Sequence, residues 1–413
     1  MSTVCIVGAS LAGLTAAETL RGAGYDGELI VVDPSSDLPP DRPPLSKQVL
    51  AGDWEPDKAV HRSATRLPDL DVELRLGVAA ISLDAATRTL GLSDGSSISA
   101  DGIVLAMGAA PRMLFEGITG VHVLRTMSDC LAIRAELDAG TPRVAVVGAG
   151  FIGAEVAATC RVRGLEVTMI EAAEVPLGRV LPGRIGDFVT QLHRDQGVDV
   201  RLGVGVGGVT VEGATKVLAL DDGSEVRAEV VVVGVGVVPN TGWLEGSGLV
   251  LDDGVRCDET CLAAPGIVAA GDVASWPNPR FGEVMRVEQW ENAIEMGEHA
   301  ARRLLAELPA ATADATADVA AANAAARTAA FAPIPWFWSD QYDRKLQLAG
   351  RPSGSDDIEI VEGTVEERRF VALFRRGDRC TGVLGVNRPR HVMQARMKMA
   401  ESLDWQAVRD LFA

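Results

Sequence analysis

Two glycine-rich turns, each followed at a fixed distance by an acid, are the residues of this chain best placed to do chemistry. The first is Gly8-Ala9-Ser10-Leu11-Ala12-Gly13, with Asp33 twenty residues past Gly13. The second is Gly148-Ala149-Gly150-Phe151-Ile152-Gly153, with Glu171 eighteen residues past Gly153. In such a turn the first glycine allows the tight bend and the second lets a pyrophosphate approach the backbone. The third lets helix and strand pack closely, and the helix N-terminus attracts the phosphates. An acid closing the next strand accepts hydrogen bonds from the adenosine ribose and repels a 2′-phosphate. Ala172 and Ala173 follow Glu171 in place of an arginine, so the second site favours NADH over NADPH. Ser10 occupies the second glycine position of the first turn, the smallest replacement that keeps a side chain.

The elements that must position these residues repeat. Residues 3–8 read as a strand, Leu11 to Gly22 as a helix and Glu28 to Val32 as a strand; Arg143 to Val147, Ile152 to Arg163 and Glu166 to Ile170 repeat that order. Each unit is followed by short strands around an Asp-Gly turn (Asp94-Gly95, Asp222-Gly223) and by a closing apolar strand, Gly102 to Ala106 in the first and Val230 to Val238 in the second. Residues 309–330, almost all Ala, Thr and Asp, read as a mobile linker, with a helix as the lesser option. Beyond them come strands at Glu359 to Glu366, Phe370 to Arg376 and Thr381 to Asn387 and a terminal helical region.

The expected fold is therefore α/β: two Rossmann-type dinucleotide-binding domains and a small α+β C-terminal domain. The expected boundaries are 1–112 with 241–325 for the first domain, 113–240 for the second and 331–413 for the third.

Composition narrows the function. The 413-residue chain has a formal net charge of −18, which opposes binding to nucleic acid. Its longest apolar run is too short to span a bilayer. The six cysteines, Cys5, Cys130, Cys160, Cys257, Cys261 and Cys380, are scattered without a CxxC pair, which fits a reducing compartment. Cys257 and Cys261 read as structural. No metal site is expected, and a cytoplasmic location is, because the chain enters its first strand without a basic leader.

Several longer motifs carry a resemblance. They are Asp41-Arg42-Pro43-Pro44-Leu45-Ser46-Lys47, Gly153-Ala154-Glu155, Gly271-Asp272-Val273, Glu288-Gln289-Trp290-Glu291-Asn292-Ala293 and Pro335-Trp336-Phe337-Trp338-Ser339-Asp340-Gln341-Tyr342. Together they resemble the FAD-dependent, NADH-using ferredoxin reductases of bacterial P450 and ring-hydroxylating oxygenase systems, which share the glutathione-reductase-like fold. The resemblance implies FAD bound through Gly8, Ser10, Gly13, Asp33, Arg42, Lys47, Arg125, Asp272 and Trp290. It implies NADH bound through Gly148, Gly150, Ile152, Gly153, Glu155, Glu171 and Arg179.

By the same resemblance Lys47 sits beside the isoalloxazine, paired with Glu155, and Trp290 lies on the route to the electron acceptor, a 2Fe–2S ferredoxin. Asp272 binds a ribityl hydroxyl, and the helix after it faces the pyrophosphate. Ser10, Met107 and Ala263 depart from the family pattern and imply an altered flavin affinity; Pro40 departs from it too and implies an altered loop over the flavin. No cysteine lies in Arg42 to Lys47, which argues against the disulfide-reductase branch. A reductase of rubredoxin or a small acceptor, and an interaction flavoprotein of the apoptosis-inducing-factor type, are the alternatives. Arg286, Arg302, Arg303, Arg388 and Arg390 are candidates for a basic docking patch.

Overall fold

A computed structural model describes residues 2–177, 184–308 and 317–413, and their contacts divide the chain into two compact units. The first holds residues 1–41, 60–110 and 238–335; the second holds 42–59, 111–237 and 336–413.

The first unit is built on a six-stranded sheet in the order Leu262–Ala264, Ile267–Ala269, Gly102–Leu105, Thr3–Val7, Glu28–Asp33, Glu73–Leu76. Its strands are parallel except for the first pair. Val4, Ile6, Val31, Ile103 and Val104 are fully buried. That burial is why the strands read as unbroken β-branched runs: a parallel sheet is covered on both faces. The helix Leu11–Gly22 packs on the helix Trp290–Leu305. Gly297 permits the close crossing, because a Cβ there would lie 2.6 Å from the carbonyl oxygen of Ala12.

The alanine-rich segment differs from its expected mobile linker. Residues 309–316 lie outside the described residues, but Ala317–Ala326 is a helix. Val319, Asn323 and Ala326 repeat at helical spacing and supply the buried face. The Asn323 amide donates to the carbonyl of Ala23 at 3.5 Å. Alanine's helix propensity, together with this one narrow stripe, outweighs the low sequence complexity.

The second unit has a five-stranded parallel sheet, Asp199–Leu202, Val167–Glu171, Val144–Val147, Val230–Val233, Val121–Val123. The apolar run expected as one strand from Val230 to Val238 ends at Val233. Gly234 and Gly236 (φ +103°) break it before a separate short strand, Val237–Pro239.

The C-terminal sheet is antiparallel and has five strands, Trp336–Gln341, Arg344–Gly350, Arg379–Val386, Arg369–Arg376, Asp357–Thr364. Its first two strands were not expected as strands. Helix Arg184–Asp195 lays Ile185, Phe188, Val189 and Leu192 against Leu346, Phe370 and Phe374 of this sheet. Successive strand residues point to opposite faces, so Phe337, Ser339 and Gln341 share one face of the strand Trp336–Gln341 while Trp336 and Trp338 share the other.

Candidate active site

In the first turn, Gly8 has φ +108°, and a Cβ there would lie 2.5 Å from the Ala106 carbonyl oxygen. At Gly13 a Cβ would fall 1.9 Å from the carbonyl oxygen of Gly8, so strand and helix meet more closely than any side chain allows. Asp33 Oδ2 accepts the amide of Ala9 at 2.7 Å and its Oδ1 accepts the amide of Ser35 at 2.8 Å. The helix starts after Ser10, whose side chain makes no capping hydrogen bond, and no acid lies in its first turn.

The second turn repeats this geometry. Gly148 has φ +100°, and a Cβ at Gly153 would lie 2.0 Å from the Gly148 carbonyl oxygen. Glu171 Oε2 accepts the amide of Ala149 at 2.7 Å and its Oε1 accepts the amide of Ala173 at 2.9 Å. Helix Phe151–Val162 likewise has no side-chain cap and no acid in its first turn.

Gly150 is the informative position. The nearest atom to a Cβ there is the Gly234 carbonyl oxygen at 3.8 Å, an ordinary contact, so packing among the described residues does not require glycine. Open space beside an uncapped helix N-terminus, with a strand-end carboxylate oriented by two amides, suits a pyrophosphate and a ribose. The uncapped helix N-terminus and the amide-held carboxylate are common to both turns, so both fit dinucleotides.

Asp272 lies in a 3₁₀ turn, Gly271–Val273, that closes the buried strand Ile267–Ala269. The helix that follows in the chain, Trp290–Leu305, comes only after a hairpin. The chain enters the strand Ala274–Asn278, which pairs with Glu283–Met285 and buries Trp276 completely. Trp290 is the first residue of the long helix Trp290–Leu305, and its indole Nε1–H donates to Asp41 Oδ1 at 2.8 Å. On either side of Trp290, the side-chain carbonyl oxygens of Gln289 and Asn292 are buried without a hydrogen-bond partner among the described residues. Two buried acceptors of this kind suit a ligand rich in N–H and O–H donors, as a flavin is.

The second unit places Lys47 and Glu155 together. Lys47 Nζ lies 2.7 Å from Glu155 Oε2, with the side chains 13% and 4% exposed. Ser46 Oγ donates to the same oxygen at 2.5 Å. Ser339 Oγ donates to Glu155 Oε1 at 2.9 Å, and the Asp340 amide donates to it at 3.3 Å. A carboxylate this buried is tolerated because four donors and one cation satisfy it, the cation being among the four.

The resemblance anticipated the pair but not its other partners. Ser46 and Ser339 both sit inside quoted motifs, and that was the only signal that could have found them. Arg42 is exposed at the start of the turn Pro43–Ser46. Arg125 precedes the capping box of helix Met127–Asp138, and its amide donates to Asp129 Oδ2 at 3.0 Å. Ile152 is 47% exposed in the first turn of its helix. Arg179 lies outside the described residues.

Four of the five arginines expected as a basic patch are held in ion pairs, and the fifth, Arg390, is exposed. Arg286 pairs with Asp253 and Glu288, Arg302 with Glu298, and Arg388 with Glu362. Arg303 is only 5% exposed and bonds Thr260 and Glu307, so it cannot face a partner. All six cysteines are free and buried. Burial pushes the Cys257 thiol up to about 12 and Cys261 well above its ordinary value, which leaves both protonated and unreactive near neutrality. Among the described residues no helix is long and apolar enough to cross a membrane, and no cluster of His, Cys, Asp and Glu is arranged to hold a metal.

Residues 2–297 match the family of pyridine nucleotide-disulphide oxidoreductases, and residues 336–410 match a reductase C-terminal domain. Rhodocoxin reductase of Rhodococcus erythropolis is 34% identical over 97% of this chain and 90% of its own. The ferredoxin–NAD(+) reductase component of the p-cumate 2,3-dioxygenase system of Pseudomonas putida is 35% identical, over 99% and 96%. Among solved structures, the covalent putidaredoxin reductase–putidaredoxin complex matches with a TM-score of 0.86 at 30% identity, covering 97% of this chain and 93% of that one. With the match running from residue 2 to 297 and relatives aligned along nearly the whole length, the chain belongs to the pyridine nucleotide-disulphide oxidoreductases, in the form that ends in a reductase C-terminal domain.

Proposed function

We propose that this chain is a cytoplasmic, FAD-carrying, NADH-dependent reductase that passes electrons to a 2Fe–2S ferredoxin feeding a P450 or a ring-hydroxylating dioxygenase. The observation that carries this reading is the repeated turn, with Asp33 and Glu171 each clamped by two backbone amides, on a chain whose relatives are named as reductases of ferredoxins.

FAD, when bound, would supply the chemistry of accepting a hydride from NADH and releasing the electrons singly. Gly8, Ser10, Gly13, Asp33, Arg42, Arg125 and Asp272 hold the flavin nucleotide. Gly148, Gly150, Ile152 and Gly153 receive the NADH pyrophosphate, and Glu171 takes the ribose hydroxyls; Arg179, the further residue expected for the adenosine end, lies outside the described residues. Lys47 supplies a fixed positive charge against the negative charge that develops during hydride transfer, and Glu155 holds it in place. Trp290 lies on the exit route to the ferredoxin. Orientation of the two reactants supplies most of the rate.

The test is anaerobic and stepwise. NADH should bleach the bound flavin much faster than NADPH does, and the reduced enzyme should then reduce a 2Fe–2S ferredoxin faster than rubredoxin or a quinone. Equal rates with all three acceptors would remove the ferredoxin assignment. Slow turnover with every acceptor, together with a change of oligomeric state on reduction, would favour an interaction flavoprotein.

A further inference from the structure

Beyond Ser339 the hydrogen bonds continue away from Glu155. Gln341 Nε2 donates to Ser339 Oγ at 3.2 Å, Gln341 Oε1 lies 3.2 Å from His193 Nε2, and His193 Nδ1 lies 2.9 Å from the Tyr342 hydroxyl. Ser339, Gln341 and His193 are all 0% exposed, so no water competes along the line. We propose that Ser339, Gln341 and His193 form a one-way hydrogen-bond chain by which the C-terminal sheet and the helix Arg184–Asp195 position the Glu155 carboxylate, and through it the Lys47 ammonium, for hydride transfer. The inference rests on the reading of Lys47 given above.

The direction of the chain follows from its end. A carboxylate has no proton to give, so the Ser339 hydroxyl must donate to Glu155, and its lone pair then takes a Gln341 N–H. That choice fixes the amide of Gln341 and turns its carbonyl oxygen toward His193, which must carry its proton on Nε2. Nδ1 is left as the acceptor for the Tyr342 hydroxyl. Burial holds the ring neutral, pushing its pKa down to about 4, and burial also raises the Tyr342 phenol above its ordinary value, so both groups keep these roles across the neutral range.

No proton travels along the chain, because an amide does not relay one. It works by aligning dipoles, each of which strengthens the next. Ser339 and Gln341 share the inner face of the strand Trp336–Gln341, and Phe337 on the same face stands edge-on to Phe151 with ring centroids 4.3 Å apart. The strand that carries the chain is thus packed against the helix that carries Glu155. Ser339, Gln341 and His193 are positioning residues, since they act on the reaction only through Glu155 and Lys47.

The test uses the full-length enzyme with FAD bound, its occupancy read from the flavin absorbance and its folding from thermal melting. For Ser339→Ala and for Gln341→Met, flavin reduction at saturating NADH should slow about tenfold, with KM for NADH changed less than about twofold, as expected when an interaction that matters in the transition state is lost. Ser339→Thr, which keeps the hydroxyl, should restore most of the rate. In a Lys47→Met background, Ser339→Ala should cost nothing further.

The proposal is overturned if either folded variant is reduced at the wild-type rate. It is equally overturned if the loss multiplies with that of Lys47→Met, or if Lys47→Met itself is without effect. Should Ser339→Ala fail to fold, Gln341→Met carries the same test. Wild-type enzyme whose flavin NADH does not bleach would instead bring down the function proposed above, and this chain with it.

Discussion

The carboxylate of Glu171 accepts the amide of Ala149 at 2.7 Å, directly before Gly150, where a Cβ would meet nothing closer than 3.8 Å. Gly153 and Gly150 separate a glycine that the fold requires from one that it does not. Gly153→Ala drives a methyl into the Gly148 carbonyl at 2.0 Å and should destabilise the domain. Gly150→Ala should shift the melting temperature far less than Gly153→Ala does, because the added methyl meets only an ordinary contact at 3.8 Å. On the proposed assignment of Gly150 to the NADH pyrophosphate, the variant should nevertheless raise KM for NADH about tenfold, because the methyl blocks the approach to the backbone. Melting and flavin-reduction kinetics on the same preparation decide it; a fall in stability equal to that of Gly153→Ala would refute the assignment of the open space.

Coenzyme choice follows from the same carboxylate. Both Glu171 oxygens already accept a backbone amide, so the side chain is held in place before any ribose arrives. Glu171→Ala should raise KM for NADH by about tenfold, the scale of a lost hydrogen bond to a charged group. It should also narrow the gap to NADPH, since the repulsion of a 2′-phosphate goes with the charge. Parallel titrations with both coenzymes test this, and an unchanged preference would show that another residue sets it.

Lys47→Met leaves the Glu155 carboxylate buried without its cation. The expected loss is about 3 kcal/mol, at the lower end for buried pairs because Lys47 keeps some exposure. Adding Glu155→Gln should recover part of that stability without recovering the rate of flavin reduction. Denaturant melts of the two variants, each with FAD occupancy measured, check the first half, and stopped-flow reduction checks the second.

Much of the fold is legible in the sequence, and the reasons are physical. The strands Thr3–Val7 and Val144–Val147 are covered on both faces, so they appear as β-branched runs, and the glycine-to-acid spacing follows from the length of one helix and one strand. Gly234 and Gly236 were just as visible within the run from Val230, but their breaking it depends on the turn that φ +103° at Gly236 allows. The strand Trp336–Gln341 was hidden because its buried face carries the polar Ser339 and Gln341 while two tryptophans take the other, so no apolar alternation marks it. The environment of Glu155 was the least legible part. Ser339, Gln341 and His193 are common polar residues, and Gln341 meets His193 across a separation of 148 residues. Only the packing of helix Arg184–Asp195 on the C-terminal sheet brings them into one line.

Trp290 joins two of the quoted motifs through its 2.8 Å hydrogen bond to Asp41. If it lies on the exit route, Trp290→Ala should slow ferredoxin reduction by about tenfold or more, the scale on which misplaced reactants lose rate, while leaving flavin reduction by NADH unchanged. Trp290→Phe, which keeps a ring but loses the bond to Asp41, should fall between. Equal losses in both half-reactions would place the indole in flavin binding and not in electron exit.

His193 supplies a prediction about pH that is independent of turnover. In the unfolded chain its ring takes up a proton below its ordinary value near 6.5, whereas burial holds off protonation in the folded protein until about 4. Between those two values the unfolded state binds the extra proton, so stability is fully present above about pH 6.5 and falls as the pH drops toward 4, by about 3 kcal/mol in all. His193→Gln removes the titrating group. It should lower stability at pH 7, where the neutral ring's two hydrogen bonds are lost, and flatten the pH dependence between 6.5 and 4. Denaturant midpoints for wild type and variant across that range give the difference directly. Parallel pH profiles would mean that His193 does not govern this window; carboxylates such as Glu229, whose pKa the Arg143 guanidinium holds down to about 2, act below it, between about pH 4.5 and 2.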